Sequence, residues 1–110
     1  MSKVEEGRKD DQGKLEWSLL PVQSLTYVVK VMMFGKQKYA RDNWKNVLNA
    51  QERYSDAALR HLMAVISGEW LDKESKLPHL AHCVCCCLFL LWLWDNTPKV
   101  QDGNTFLESP

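Results

Sequence analysis

His79, His82, Cys83 and Cys86 stand at i, i+3, i+4 and i+7, the spacing that lines one stripe of a helix with imidazole nitrogens and thiol sulfurs. That is a zinc-type donor set, yet the stripe is too long for one ion. Seven residues rise about 10 Å along a helix, whereas zinc holds its ligands at roughly 2.0 to 2.3 Å. One helix offers a neighbouring pair, and two more donors must come from elsewhere. The plainer reading of Cys83, Cys85, Cys86 and Cys87 is small hydrophobes filling a tight helix contact, with burial raising their thiol pKa and removing them from nucleophilic work.

Glu69, Asp72 and Glu74 come just before this stretch. An antiparallel helical hairpin brings the end of its first helix to the start of its second, so these carboxylates share a corner with His79 and His82. Oxygen ligands suit Mg2+, and a mixed oxygen and nitrogen set is acceptable to Mn2+, so a divalent-ion site there is physically reasonable. The blander alternatives are histidines that satisfy backbone groups at a helix start, and a solvated acidic turn. Asp56 and Arg60, four apart, most simply form a surface ion pair of about 0.2–0.5 kcal/mol. Lys14, Lys36, Lys38, Arg41, Lys45 and Arg60 supply cations without a Gly-rich cradle, which excludes a P-loop and leaves phosphate charge to be met by side chains. Trp17, Tyr39 and Trp44 lie outside the strongest helical stripes and could stack on a base, although for each singly packing onto the bundle is the plainer reading. No Gly-x-Ser-x-Gly nucleophile is present.

Positioning these groups requires helices. Pro21 is a first-turn proline, and Leu25, Val28, Val29, Met32 and Met33 then repeat with helical period up to an end near Gly35 to Tyr39. Ala40 to Glu52 reads as a loop with one turn around Trp44 to Leu48. Ser55 caps a second helix with Asp56 in its first turn and Leu59, Leu62, Met63 and Ile66 as its apolar face; Gly68 ends it. On its other side Ala57, Ala64 and Gly68 leave a small-residue ridge around His61, so this helix should have two packed faces. After the polar connection Glu69 to Lys76, Pro78 starts a third helix running to about Trp94. That helix is apolar around most of its circumference. With no strand alternation, the class is all-α: a compact bundle of three main helices completed by oligomerisation as a homodimer or homotetramer. The domain spans 13–95, after a mobile leader at 1–12 and before a tail at 96–110.

The chain has 110 residues with 14 Lys+Arg against 14 Asp+Glu, so it holds one domain, and its balanced charge argues against nucleic-acid polymer as a partner. Hydrophobic residues make up 45 %, enough for a packed core. The start lacks the apolar segment of a secretory signal. The uncharged apolar stretch Cys83 to Trp94 falls short of the roughly 20 residues of a bilayer crossing. The expected location is cytoplasmic, with no membrane partner and with reduced thiols.

Taken together, Asp11, Gly13, Lys14, Leu20 and Pro21, then Phe34 to Lys36, Lys38, Tyr39, Asn43 and Trp44, then Asp56, Leu59 to Leu62, Gly68, Glu69, Asp72, Glu74, Ser75, Leu77 and His79 to His82 resemble a phage family. It is the dATP/dGTP diphosphohydrolase family, a compact branch of the MazG-like all-α nucleotide pyrophosphatases. The likeness covers about Asp11 to Leu93 and is most specific from Leu59 to His82. It implies a divalent-metal enzyme, using Mg2+ or Mn2+, that splits a purine deoxynucleoside triphosphate into the monophosphate and pyrophosphate. It further implies dGTP as a favoured substrate, with dATP beside it, a role in phage purine supply such as 2-aminoadenine precursors, and the host cytoplasm as the location. The broader MazG-like pattern carries a Glu-x-x-Glu and a Glu-x-x-Asp pair on successive helices. Here His79 and His82 stand in for the second pair, so anionic oxygens must come from Asp56, Glu69, Asp72 or Glu74. On this reading Glu69, Asp72 and His82 are catalytic; Asp56, Glu69, Asp72, His79 and His82 form the metal set. Lys14, Lys36, Lys38 and Arg60 balance the triphosphate, while Trp17, Tyr39, Asn43 and Trp44 meet the rest of the substrate. Two other readings compete: a non-catalytic interaction module that docks a partner on the apolar third helix, and a structural zinc protein using His79, His82 and the cysteines.

Overall fold

Pro21 leads into a single 3-10 turn, Val22–Ser24, that continues directly into helix α1, Leu25–Lys38, in the computed structural model, which describes residues 5–98. The end of α1 is at the place expected, where Tyr39 N–H reaches back to the Gly35 carbonyl at 2.9 Å. Asp42 and Asn49 both take positive φ, at 63° and 56°, a conformation that these short polar side chains tolerate. They bracket a 3-10 turn at Asn43–Asn46 and turn the chain sharply into α2, Ala50–Ile66.

Helix α2 thus begins five residues before the expected Ser55 cap. Ser55 lies inside it, its hydroxyl donating to the Gln51 carbonyl at 2.7 Å, and Asp56 is in the second turn. The physical reason is that Ala50 to Arg53 are strong helix formers with Glu52 favourably placed in the first turn, so the asparagine-rich loop stops earlier than its composition suggests. The other end follows expectation. Gly68, at φ +98°, donates to Val65 O at 2.9 Å, and Glu69 N–H reaches Ala64 O at 2.9 Å, a Schellman closure.

The connection 69–78 is tied at its base. Leu71 and Pro78 form an antiparallel bridge, Asp72 N–H donates to Leu77 O at 2.8 Å, Lys76 N–H to Asp72 O at 2.8 Å, and His79 N–H to Trp70 O at 2.9 Å. Helix α3, His79–Asn96, follows. Its middle packs on α1 and α2: Ala81 and Cys85 join Val28 and Val31 in a small core edged by Leu25, Leu77 and Phe89, and Cys85 Sγ donates to Val28 O at 3.4 Å. By length and mean hydropathy, 1.3 over 18 residues, α3 could span a bilayer. The helix is thus longer than the uncharged stretch from Cys83 suggests, and 22 % of it is buried, on the side that carries that core.

No strand occurs among the described residues, and the class is all-α. Two packing expectations need correction. The Leu59, Leu62, Met63 and Ile66 face of α2 is exposed, as are Val29, Met32 and Met33 on α1. Three helices bury one side of each partner, and no fourth layer within the described residues covers the rest. Cys85 and Cys86 are buried, Cys83 is half-buried and Cys87 exposed, so only part of the cysteine run fills a helix contact. Of the expected leader, 1–4 lie outside the described residues and 5–12 form neither helix nor strand; of the tail, 99–110 lie outside them.

Candidate functional site

The small-residue ridge of α2 carries His61 against the first turn of α3. His61 Nδ1 lies 2.8 Å from His79 Nδ1, and the His61 ring stacks on His82 at 4.6 Å with the planes 12° apart. All three histidines of the chain meet here. On its other edge His79, only 6 % exposed, is 3.1 Å through Nε2 from Glu69 Oε2. His82 Nε2 is 2.7 Å from Ser75 Oγ and 3.9 Å from Asp72 Oδ2. Asp72 Oδ2 itself accepts the Ser75 N–H at 2.8 Å, and Leu77 N–H donates to Ser75 Oγ at 3.2 Å, so the closed loop fixes both side chains.

Burial, followed by the nearby imidazoles of His82 and His79, pushes His61 down to about 4, and burial also lowers His82. Both rings are therefore neutral near neutral pH, and each carries one nitrogen lone pair. Burial acts to raise Asp72, but hydrogen bonds from Ser75 and the neighbouring imidazoles outweigh it and hold the carboxyl below its ordinary value. One ligand atom each from His61, Asp72 and His79 lies within 4.8 Å of the others. Two imidazole nitrogens and a carboxylate oxygen are a donor set that a divalent ion such as Mn2+ accepts; Mg2+, which prefers oxygen alone, fits it less well.

This corner opens on a cleft of about 930 Å³ whose wall includes His61, Asp72 and His82. Lys36, Lys38, Arg41, Arg53 and Arg60 line it with positive charge, and Tyr39, Trp44, Tyr54 and Phe89 with aromatic surface. Lys38 is held 2.6 Å from Glu74 Oε1, and that hydrogen bond, more than any other influence, raises its pKa. Trp44 is a fixed part of the wall. It stacks on Phe89 at 4.3 Å, meets Trp92 edge-on at 5.1 Å, and its carbonyl accepts the Tyr54 hydroxyl at 3.1 Å.

Of the residues singled out from sequence, Asp72 and His79 belong to the ion-sized group, His82 borders it, and Glu69 stands behind His79. Asp56 lines the cleft without joining the group, and no Asp56–Arg60 ion pair forms among the described residues. Lys36, Lys38, Tyr39, Asn43, Trp44 and Arg60 line the cleft; Lys14 and Trp17 do not, and Trp17 is 69 % exposed. The cysteines take no part in the group: burial raises Cys85 to about 12 and Cys86 to about 11. Sequence reasoning puts His61 on the ridge without marking it as a ligand, and it passes over Arg53 and Tyr54. The available signal is that a ridge narrow enough to admit α3 must press its one histidine onto that helix's imidazoles.

A curated relative and a family model carry the same description. A curated dATP/dGTP diphosphohydrolase of Salmonella phage PMBT28 is 36 % identical over 96 residues, 87 % of this chain and 32 % of the relative. The chain thus spans about a third of the length of that relative. No solved structure matches. The family model described as "dATP/dGTP diphosphohydrolase, N-terminal" matches residues 4–103, nearly the whole sequence, and the chain belongs to that family.

Proposed function

We propose that the cleft binds a purine deoxynucleoside triphosphate and hydrolyses it, with a divalent ion, to the monophosphate and pyrophosphate. The observation that carries this reading is the junction of two features: an imidazole and carboxylate corner at His61, Asp72 and His79, and, in the cleft that His61 and Asp72 line, a wall of five cations beside it. The name of the phage relative, together with the family, supports a purine deoxynucleotide as substrate. In its finer form the proposal takes dGTP as preferred and dATP as second, in phage purine metabolism such as 2-aminoadenine precursor supply, within the host cytoplasm, and assigns the activity to residues 13–95.

When bound between His61, Asp72 and His79, Mn2+ or Mg2+ supplies positive charge to phosphate oxygens and acidifies a water. Lys36, Arg41 and Arg60 hold the β- and γ-phosphates, and Lys38 joins them by leaving Glu74. Water oxygen bonds to the α-phosphorus as the bond to the bridging oxygen of pyrophosphate breaks, and Nε2 of neutral His82, exchanging Ser75 Oγ for the water, takes the water's proton. Tyr39, Asn43 and the Tyr54 side of the Trp44 wall receive the sugar and base. Lys14 and Trp17, away from the cleft, have no part in this reading.

Phosphate release with coupled pyrophosphatase, run over all natural dNTPs and NTPs with Mn2+ and with Mg2+, tests it. Turnover should be confined to purine deoxynucleotides and fall by about 100-fold or more in His61→Ala and Asp72→Asn, in keeping with loss of a positioned catalytic group, while their melting temperatures stay close to that of the parent. In Asp72→Asn the side-chain amide oxygen can still accept the Ser75 N–H, so the loop should persist. Absence of release with every nucleotide, or full turnover in both variants, rejects the proposal. A partner-docking module would account for the exposed apolar helix faces but leaves the convergence of three imidazoles and a carboxylate on a cationic cleft without a purpose.

A further inference from the structure

We infer that Glu69 is a positioning residue, whose carboxylate fixes the proton of His79 on Nε2 and so turns the His79 Nδ1 lone pair toward His61 and the cation seat. The inference rests on the reading of that corner as a cation site. His79 is buried and both of its ring nitrogens are engaged: Nε2 with Glu69 Oε2 at 3.1 Å, Nδ1 with His61 Nδ1 at 2.8 Å. A carboxylate only accepts, so the Nε2 side must carry the hydrogen; in the neutral ring the lone pair is then on Nδ1. In the ion-free arrangement that lone pair accepts from His61 Nδ1–H; an ion in the seat requires His61, which lines the cleft, to carry its hydrogen on Nε2 instead. The chain of donors runs from His61 through His79 to Glu69, and it has one direction.

Glu69 does not reach the seat itself. Its Oε2 meets the edge of the imidazole that points away from His61, its Oε1 lies 3.8 Å from Lys73 Nζ, and the ligand atoms that come together are those of His61, Asp72 and His79. The backbone explains why the carboxylate is so placed. Gly68, at φ +98°, ends α2, and Glu69 N–H is spent on the Ala64 carbonyl, which sets Glu69 as the first residue to turn back beneath α3. Without the carboxylate, His79 is free to carry its proton on Nδ1, where an N–H faces the seat and cannot ligate. A partner on the far nitrogen of a liganding imidazole typically governs ion affinity by about 10- to 100-fold.

Two measurements on the full chain test this, with Glu69→Ala and Glu69→Gln. Glu69 is part-exposed, and circular dichroism and melting temperature should be nearly unchanged in both. First, Mn2+ affinity from the paramagnetic resonance signal of free ion should weaken by about 10- to 100-fold in Glu69→Ala. Glu69→Gln, whose amide oxygen can still accept from Nε2–H, should recover most of it. Affinity lost equally in both variants makes Glu69 a ligand and overturns the inference, as does undiminished affinity in Glu69→Ala. Second, long-range 1H–15N spectra of ion-free protein should report His79 as the Nε2–H form in the parent and in Glu69→Gln, and a shift toward Nδ1–H in Glu69→Ala. An unchanged tautomer in Glu69→Ala overturns the inference without reference to any ion. A parent chain that binds no Mn2+ rejects the cation reading, while the tautomer spectra still decide the role of Glu69.

Discussion

His61 is where a change of pH acts most directly on this fold. In an unfolded chain its ordinary value is 6.5; in the folded chain burial and the facing rings of His82 and His79 push it down to about 4. A histidine depressed on folding takes up its proton more readily when unfolded, so its contribution to stability is complete above pH 6.5 and is lost as pH falls from 6.5 toward 4. His82, lowered by burial, acts in the same direction; Asp72, held below 3.8, weakens the fold only at still lower pH. The melting temperature of ion-free protein should therefore fall across the window from 6.5 to about 4, and His61→Asn should flatten that slope. A flat profile in the parent, or the same slope in the variant, would show that His61 charges without penalty. The spacing of His79 and His82 beside an acidic stretch made half of this corner legible in the sequence. His61 was not legible as a partner because it lies 18 residues away, and its side of α2 becomes a facing side only once the hairpin geometry is known.

The elements were legible where a residue's backbone demand was unambiguous. Pro21, Gly68 and Pro78 each mark an element boundary in the fold, since fixed φ or positive φ leaves few alternatives. Ser55 misleads because a serine followed by an aspartate looks like a cap, while the helix-forming run Ala50 to Arg53 competes with three nearby asparagines. Gly68 gives the sharpest test at this scale. A Cβ there would meet nothing within 4 Å, so the cost of Gly68→Ala is backbone strain alone, roughly 1–2 kcal/mol. For a domain of this size the melting temperature should fall by about 4–8 °C per kcal/mol. Gly68→Asn should fall less, because asparagine tolerates the left-handed region. Since Glu69 and the tied loop follow directly, Gly68→Ala should also weaken Mn2+ binding more than Gly68→Asn does. Equal melting temperatures in all three proteins would mean that the Schellman closure is not holding the end of α2.

At the scale of the whole molecule the described residues leave large apolar side chains open on α2 and α3. On α3, Leu80, Val84, Leu88 and Leu91 recur at i, i+4, i+8 and i+11 and remain 39–59 % exposed, a continuous stripe along one side of the helix. The α2 face from Leu59 to Ile66 adds a second exposed stripe. Monomeric proteins rarely leave contiguous patches beyond a few hundred Å2, and a stable pair of chains buries about 800 Å2 on each partner. A helix face of this length can approach that area by packing against its own symmetry mate, and the stripe starts at the same turn of α3 that carries His79 and His82. We therefore expect light scattering of the purified chain to return twice or four times 12.8 kDa at micromolar concentration. Leu88→Glu combined with Leu91→Glu, which places two charges in the stripe well beyond the turn that carries the histidines, should move the mass toward 12.8 kDa. Because neither residue lines the cleft, Mn2+ affinity of the resulting monomer separates two arrangements: affinity kept means that each chain holds a complete ion seat, and affinity lost means that association holds α3 against His61. A parent chain already at 12.8 kDa, or a variant that stays assembled, would rule out the α3 stripe as the contact between copies.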